Sequence, residues 1–249
     1  MSRQRVALVT GGTGAIGTEI CRQLAAAGHK VAALGHPSES ARIADWLAGV
    51  RAGGAPVEVH LCDLSNFSAA HDAVQKLEGL IGPADILVNA AGITRDARLA
   101  KMTPAQWREV MATNLDSVFN VTQPVFTGMC ERGYGRIVNI SSVNGQKGQF
   151  GQANYSAAKA GMHGFTMAVA QEGAAKGVTV NTVSPGYVET PMTAAIKPEA
   201  LARIVGTIPA GRMARPGEIA RVVAFLCAEE SGYITGANIA VNGGLHMGG

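Results

Sequence analysis

The sequence has few charged residues and no block of like charge. Asp, Glu, Lys and Arg make up 16% of the 249 residues, against about a quarter in a typical globular domain. The net charge of +3 comes without a basic run, which argues against a groove for nucleic acid. So little charge also indicates that part of the surface is covered by partner subunits.

Cysteine and histidine are sparse as well. The four cysteines include no C-x-x-C pair, which favours a reduced, intracellular protein whose thiols are small core residues. The six histidines are scattered rather than grouped at ligand spacing, so we expect no metal site. The cysteines are Cys21, Cys62, Cys130 and Cys227.

Long apolar runs are also missing. No stretch approaches the roughly 18 uncharged apolar residues of a membrane span. The sequence MSRQRVALVTGG at 1–12 enters a strand-like run without the apolar segment of a signal peptide. We therefore expect a cytoplasmic protein that does not associate with membranes.

Short apolar runs alternate with helix-length segments along the chain. The runs are apolar nearly end to end, which is typical of strands buried on both faces of a parallel sheet. This pattern predicts an α/β fold, a single Rossmann-type domain over 1–249 with a doubly wound parallel sheet of about seven strands and helices on both faces. The predicted strands are 5–11, 30–35, 57–63, 85–92, 135–141, 178–184 and 238–244.

Residues 186–217 interrupt this alternation. The segment contains several prolines and lies between two predicted strands. We expect it to form a lid over the substrate. An ordinary surface excursion is the alternative.

A glycine-rich turn, VTGGTGAIG, follows the first predicted strand and opens the first helix. Gly12, Gly14 and Gly17 satisfy G-x-G-x-x-G in the strand–turn–helix context of a dinucleotide site. Because glycine has no Cβ, a pyrophosphate can approach the amides at the helix N-terminus. The turn therefore predicts cofactor contacts that also include Gly11 and Ile16.

The end of the second predicted strand lacks the acidic residue that usually binds the adenosine ribose. Gly35 and His36 stand there instead. Glu39, a little further on, would bind ribose hydroxyls and repel a 2′-phosphate, whereas Arg42 would do the opposite. Charge alone leaves the choice between NADH and NADPH open.

The stretch NYSAAKAG at 154–161 places Tyr155 and Lys159 four residues apart. On a helix these two side chains share a face, and the small residues between them leave room for a ligand. An exposed Tyr beside a solvated Lys would give the same short pattern.

Taken together, these motifs resemble the short-chain dehydrogenase/reductase family. The resemblance covers essentially the whole chain in the order and spacing of the family. It departs at Ala90, where the family more often has a second Asn of mainly structural role. The residues that carry it are TGGTGAIG (10–17), Asp63, NAAG (89–92), Asn114, Ser142, Tyr155, Lys159 and SPGYVET (184–190).

Within the family, the sequence is most similar to the acetoacetyl-CoA reductases of polyhydroxybutyrate synthesis. The similarity lies in AGITRD, in the run from GRIVNISS to HGFTMA, in KGVTVNTVSPGY and in NGGLHMG. It implies NAD(P)H-dependent reduction of acetoacetyl-CoA to (R)-3-hydroxybutyryl-CoA. The alternative is a 3-oxoacyl-acyl-carrier-protein reductase of fatty acid synthesis, which shares the catalytic residues.

The resemblance implies four catalytic residues. Tyr155 would donate a proton to the ketone oxygen. The pKa of a free phenol is about 10, and the nearby Lys159 would lower it. Ser142 would hydrogen-bond the same oxygen, and Asn114 would support a water chain to Lys159.

The resemblance also implies further cofactor contacts. Asp63 would meet the adenine, Asn89 the adenosine ribose, and Lys159 the nicotinamide ribose. Other implied cofactor residues, including those that hold the carboxamide end, are Ala91, Gly92, Tyr155, Pro185, Gly186, Val188 and Thr190.

For the substrate, the resemblance implies an acyl pocket and a rim that meets the CoA phosphates. The rim residues are Asp96 and Lys101, with Arg95 and Arg98 close in sequence. The pocket residues are Ser142, Gln149, Phe150, Gln152 and Tyr187.

Two expectations concern cofactor choice and assembly. The common NADPH-using reductases of this type carry more arginine after the second strand, where this chain has one Arg and an added Glu. This difference slightly favours NADH, with NADPH as the alternative. Family members are commonly tetramers, so the resemblance implies a homotetramer.

Overall fold

The computed structural model describes residues 4–248, except for the side chain of Met192. Within these residues seven strands form one parallel sheet in the order β3-β2-β1-β4-β5-β6-β7. The predicted fold class is confirmed, and each predicted strand is present. The strands are β1 (Val6–Thr10), β2 (Lys30–Gly35), β3 (Val57–Leu61), β4 (Ile86–Asn89), β5 (Gly135–Ile140), β6 (Val178–Pro185) and β7 (Asn238–Val241).

Helices cover both faces of the sheet and bury two apolar clusters. One cluster includes Ile20 and Ile219, and the other includes Leu77 and Val121. The helices are α1 (Ala15–Ala26), α2 (Ile43–Ala52), α3 (Phe67–Ile81), α4 (Pro104–Met111), α5 (Ser117–Glu131), α6 (Val143–Lys147), α7 (Ala153–Gly173), α8 (Pro191–Ala194), α9 (Pro198–Gly206) and α10 (Pro216–Cys227).

Two helices begin next to side chains that cap them. The Asn66 side chain accepts a hydrogen bond from the backbone N–H of Ala69, at the start of α3. Thr103 caps α4 in a reciprocal arrangement with Gln106, and Pro104 is the first helical residue. These caps pair backbone donors that have no partner inside the helix.

The connection between α4 and α5 is a π-helical segment, Ala112–Asp116. Such segments have hydrogen bonds between residues five apart instead of four, and they are frequent at functional sites. This segment carries Asn114, which hydrogen-bonds the backbone of Ile93 in the loop after β4.

The strand order reverses between β1 and β4, so the crevice at their carboxyl ends is the expected ligand site. Beyond β6, the segment 186–217 contains the short helices α8 and α9, and none of the residues of α9 is buried. Val188 bridges Ala214 across the base of this segment.

The described residues hold neither a membrane-spanning helix nor a metal cluster. No helix in 4–248 combines the length and the apolar character that a bilayer crossing needs. In the same range no three His, Cys, Asp or Glu side chains group as metal ligands. The thiols of Cys21, Cys62 and Cys227 are free and buried, and Cys130 is free and half-buried.

Candidate active site

The glycine turn between β1 and α1 packs tightly against neighbouring backbone. Gly11 has a φ of +60°, in the left-handed region that favours glycine. A Cβ on Gly12 would lie 2.7 Å from a side chain of β2, and one on Gly17 would collide with the carbonyl of Gly11. These glycines let the turn pack tightly, while Gly14 forms the N-cap of α1 and Ile16 packs against the core.

The start of α1 fits the pyrophosphate of a dinucleotide. No side chain caps this helix, and its first turn carries no acidic residue. The first N–H groups of a helix lack an intrahelical partner and attract anions. At the end of the neighbouring β4, the Oδ1 atom of Asn89 is buried without a hydrogen-bond partner among the described residues. It is an acceptor suited to a ribose hydroxyl, so the residues present fit a dinucleotide.

The carboxylate of Glu39 lies at the end of β2, although the residues at that strand end, Gly35 and His36, are not acidic. A Cβ on Gly35 would lie 2.7 Å from the Glu39 Oε2 atom. The same carboxylate accepts hydrogen bonds from the Thr13 hydroxyl and from the backbone N–H of His36, the latter at 3.2 Å. Arg42 forms an ion pair with Glu39 and also donates to the carbonyl of Thr13 at 3.2 Å. The two opposing charges of the sequence prediction therefore pair with each other.

Tyr155 and Lys159 lie on one face of α7, as their spacing indicates. The Lys159 Nζ atom is 5.6 Å from the centroid of the Tyr155 ring and donates to the carbonyl of Ile140 at 2.8 Å. Lys159 is 3% exposed, and this burial lowers the pKa of its ammonium to about 7. A buried lysine without a nearby carboxylate releases its proton more readily.

Ser142 stands at the start of α6, beside Tyr155. Burial raises the pKa of the Tyr155 phenol, a hydrogen bond with Ser142 lowers it, and the charge of Asp96 raises it. The Ser142 oxygen accepts the backbone N–H of Asn144 at 3.1 Å. The Ser142 hydroxyl keeps one hydrogen, which it can donate to the Tyr155 oxygen or to the oxygen of a ligand.

Asn114 is fully buried in the π-helical segment and holds the loop that follows β4. Its Oδ1 accepts the N–H of Ile93 at 2.7 Å, and its Nδ2 donates to the carbonyl of Ile93 at 2.8 Å. A Cβ on Gly92 would lie 3.1 Å from Asn114 Oδ1 and 3.4 Å from Lys159 Nζ. Glycine at position 92 therefore allows the loop to approach both side chains.

A buried network of amides and hydroxyls links the strand ends, and the sequence reasoning missed most of it. Asn89 donates to Asn139 at 2.8 Å, and Asn139 donates to the hydroxyl of Thr166 on α7 at the same distance. Thr182 of β6 also donates to Thr166. The available signal was the recurrence of Thr or Asn at the carboxyl ends of neighbouring strands. Thr10 belongs to this set, since its hydroxyl accepts the N–H groups that follow Asn89.

Two predicted substrate residues bind each other. The Gln152 amide donates to both Asp96 oxygens, at 3.0 and 2.9 Å, and accepts from Asn144 at 2.9 Å. Residues 97 and 152 also form a short parallel bridge. These bonds join the two loops that border the site near Tyr155.

The other predicted substrate residues lie further out. Phe150 is 79% exposed, and the Arg98 guanidinium lies 5.4 Å from its ring centroid. Gln149 accepts a long bond from Lys147, and Lys101 is exposed at the end of a 3-10 turn. Tyr187 lines a small cavity beside the segment 186–217, and burial and the charge of Asp96 raise the pKa of its phenol.

The remaining predicted cofactor residues lie along the carboxyl edge of the sheet. Asp63 is exposed after β3, and hydrogen bonds from Ser65 lower the pKa of its carboxyl. The turn after β6 packs closely, since a Cβ on Gly186 would lie 2.9 Å from the backbone of β7's neighbour Asn242. Thr190 caps α8. The others at this edge are Ala91, Pro185 and Val188.

Comparison with known proteins identifies the family of this chain. A family model described as short chain dehydrogenase matches residues 5–201. The acetoacetyl-CoA reductase of Allochromatium vinosum is 59% identical over 98% of this chain and 99% of that protein. The acetoacetyl-CoA reductase of Cupriavidus necator is 55% identical over the same shares. The 3-oxoacyl-acyl-carrier-protein reductase of Escherichia coli is 42% identical over 98% of each chain. The chain belongs to the short-chain dehydrogenase family.

Proposed function

We propose that this chain reduces acetoacetyl-CoA to (R)-3-hydroxybutyryl-CoA with a nicotinamide dinucleotide, and so supplies polyhydroxybutyrate synthesis. The observation that carries the proposal is the convergence of three side chains. The Ser142 hydroxyl, the Tyr155 phenol and the Lys159 ammonium meet at the carboxyl edge of the sheet, beside the glycine turn. A protein that only sensed the dinucleotide would not need this group.

In the proposed reaction, the 3-keto carbon would receive a hydride, which is the chemistry that a nicotinamide dinucleotide would supply when bound. Tyr155 donates its phenolic proton to the ketone oxygen as that oxygen becomes an alkoxide. The Ser142 hydroxyl, whose oxygen accepts the Asn144 N–H, donates a hydrogen bond to the same ketone oxygen.

Lys159 tunes Tyr155 in this scheme. Negative charge that develops on the phenol favours the ammonium form of Lys159, and the ammonium in turn stabilises the phenolate. Burial brings the pKa of Lys159 to about 7, so this residue titrates near neutral pH. Asn114 holds the loop at Ile93 beside this pair, and in the proposal a water chain in its neighbourhood returns the proton.

For the cofactor, we favour NADH over NADPH. The carboxylate of Glu39 occupies the end of β2, where an acidic residue commonly binds the ribose 2′-hydroxyl. A 2′-phosphate at that place would meet this negative charge. Arg42, the one cation of the loop, is engaged by Glu39 and Thr13.

For the thioester, we favour CoA over a carrier protein. The two acetoacetyl-CoA reductases described above are 59% and 55% identical to this chain, and the carrier-protein reductase is 42% identical. Arg98 and Lys101, on the loop joined to Gln152, are cations suited to the CoA phosphates at the rim.

We also propose a cytoplasmic homotetramer. Phe67, Phe119 and Met167 are about half exposed, on α3, α5 and α7, and the first two rings stack at 5.9 Å. Exposed apolar side chains grouped on neighbouring helices are typical of a subunit interface. Sedimentation velocity tests this: wild type should sediment as a tetramer, and Phe119→Asp as a smaller species. A monomeric wild type would exclude the assembly.

Steady-state kinetics tests the function. We would measure kcat/KM for acetoacetyl-CoA and for the acetoacetyl thioester of acyl carrier protein, each with NADH and with NADPH. We expect the highest value with acetoacetyl-CoA and NADH, and the (R) product by chiral chromatography. A higher value with the carrier protein would support the alternative reductase. No turnover with either thioester would remove the proposed function.

A further inference from the structure

His163 lies one helical turn after Lys159 on α7, half-buried behind the proposed catalytic residues. Its Nε2 atom is 3.0 Å from the Ser141 hydroxyl oxygen and 3.4 Å from that of Ser184. Neither the cofactor nor the substrate prediction includes this histidine. Its contacts join α7 to the carboxyl ends of β5 and β6.

The hydrogen bonds around Ser141 determine which ring nitrogen carries a proton. Ser141 donates its one hydroxyl hydrogen to the carbonyl of Lys159 at 2.8 Å. Toward His163 the same oxygen can only accept, so Nε2 must be the protonated nitrogen. Ser184 likewise donates to Asn238 at 2.7 Å, and its oxygen is then an acceptor for the same Nε2–H.

Ser141 and the preceding Ile140 hold Lys159 at its main chain and at its ammonium group. The Ser141 hydroxyl binds the main-chain carbonyl of Lys159, while the carbonyl of the preceding Ile140 accepts the Lys159 ammonium. The Ser141 backbone is itself held by β6, since its N–H donates to Val183 at 2.8 Å. A shift of Ser141 would therefore move both ends of the lysine relative to Tyr155.

Ser184 leads into Pro185 and Gly186, the turn to which the family resemblance assigns the carboxamide end of the cofactor. The Nε2–H of His163 thus contacts two residues. One is Ser141, which holds Lys159, and the other is Ser184, which precedes the turn proposed to contact the nicotinamide. Burial lowers the pKa of His163, so the ring is neutral near neutral pH and adds no second cation beside Lys159.

We propose that His163 is a positioning residue: its Nε2–H holds Ser141 and Ser184 so that Lys159 and the 184–186 turn keep a fixed relation. The proposal rests on the proposed function for its kinetic consequences. Its structural content, the protonated Nε2 and the coupling to Ser141, is independent of any turnover.

The kinetic test compares two variants. His163→Leu keeps the bulk and removes the donor, whereas His163→Gln keeps an N–H donor of similar reach. We expect His163→Leu to lose about 10- to 100-fold in kcat, with KM for acetoacetyl-CoA within about twofold and a displaced pH profile. His163→Gln should retain kcat within about threefold. His60→Leu, at a half-buried histidine of β3, is the matched control and should match wild type.

Two outcomes of this comparison overturn the proposal. One is a His163→Leu variant with the kcat and the pH profile of wild type. The other is a pair of variants that lose activity equally, with equal drops in Tm and unmoved pH profiles, since that pattern reports packing alone. Ser141→Ala should lose activity like His163→Leu, and the double variant should lose no more than either. Additive losses would also overturn it.

Long-range ¹H–¹⁵N NMR of the histidine rings separates this proposal from the proposed function. The resonance that disappears in His163→Gln identifies His163. We expect a neutral ring protonated at Nε2, in wild type and in His60→Leu alike. A ring protonated at Nδ1 would overturn the proposal even in an active enzyme. If wild type shows no turnover, the function fails. The NMR result, together with the Tm values of His163→Leu, Ser141→Ala and the double variant, then decides this inference, since additive losses of Tm would overturn it.

Discussion

The two ends of the parallel sheet differ in the polar groups that they bury. At the amino end, Tyr134 is flanked by two guanidinium groups, Arg5 at 3.5 Å and Arg136 at 4.4 Å from its ring centroid. Arg5 also pairs with Glu229 at 2.7 Å and lies 4.0 Å from Asp85. At the carboxyl end the buried groups are mostly neutral amides and hydroxyls, with Lys159 as the buried cation.

The difference separates a cation that is fixed from one that can change its charge. Arg136 donates to four backbone carbonyls, and a guanidinium does not lose its proton in proteins. Lys159 has a single carbonyl at hydrogen-bond distance among the described residues, besides a long contact to a methionine sulfur. The amino end therefore contributes stability, and the carboxyl end keeps a group that titrates near neutral pH.

The largest expected effect comes from removing one phenolic oxygen at the carboxyl end. Tyr155→Phe should lower kcat by about 10²- to 10⁴-fold, since the proton donor is gone, while the Kd for NADH stays within about twofold. Stopped-flow single turnover and fluorescence titration measure the two quantities. A variant with wild-type kcat would show that Tyr155 is not the acid.

Tyr134→Phe is the matched change at the amino end. The Tyr134 hydroxyl is buried without a partner among the described residues, and burial raises the pKa of its phenol. Its removal should leave kcat unchanged and Tm equal or higher. A loss of activity in this variant would weaken the contrast between the two ends.

The next effect is on stability alone. Arg136→Met removes a guanidinium that donates to four backbone carbonyls, of which that of Gly135 is buried. The free energy of unfolding should therefore fall by about 3 kcal/mol. The kcat of the folded variant should not change. Urea unfolding measures the first quantity, with Arg22→Ala, which breaks an exposed pair with Glu19, as a control expected to cost under about 1 kcal/mol.

A third prediction concerns pH. The pKa of Lys159 is about 7 in the native state and about 10.4 when unfolded. Between these values the unfolded chain binds more protons, so this residue makes wild-type stability rise with pH. Lys159→Met should therefore gain about 2–4 kcal/mol over wild type at about pH 7, and much less at about pH 9.5. A gain that is independent of pH would mean that the native lysine keeps its proton.

The smallest expected effect is a change of cofactor preference. Glu39→Gln removes the negative charge at the end of β2 but keeps an amide of similar shape. The ratio of kcat/KM for NADPH to that for NADH should rise by about tenfold, equivalent to about 1.4 kcal/mol. Glu58→Gln, on an exposed carboxylate of β3, should leave the ratio unchanged. An unchanged ratio in Glu39→Gln would assign the preference to another group.

The sequence predicts what depends on local pattern. Apolar runs of strand length locate all seven strands, and Asn66 and Thr103 mark helix starts, because these signals lie within a few residues of the feature they indicate. The i,i+4 spacing of Tyr155 and Lys159 is local in the same sense. Their place beside Ser142 came from the family resemblance.

What the sequence does not predict depends on residues that are far apart in the chain. The return of Glu39 to Thr13 spans 26 positions, and the bond between Gln152 and Asp96 spans 56. The π-helical segment has no clear sequence signal either. His163 was visible only as a histidine one turn after a lysine, and its function depends on which strand ends α7 packs against.

The π-helical segment links the rotation of α5 about its axis to the position of the Asn114 side chain. An α-helix turns by about 100° per residue, so deletion of one residue within 112–116 would rotate the whole of α5 by that angle. Val118, Val121 and Val125, which are now buried, would then turn away from the sheet. A deletion that removed the π-helical turn around Asn114 would therefore also disrupt the packing of the fifteen residues of α5. The number of residues in this segment is thus constrained by the packing of α5 as well as by the position of Asn114.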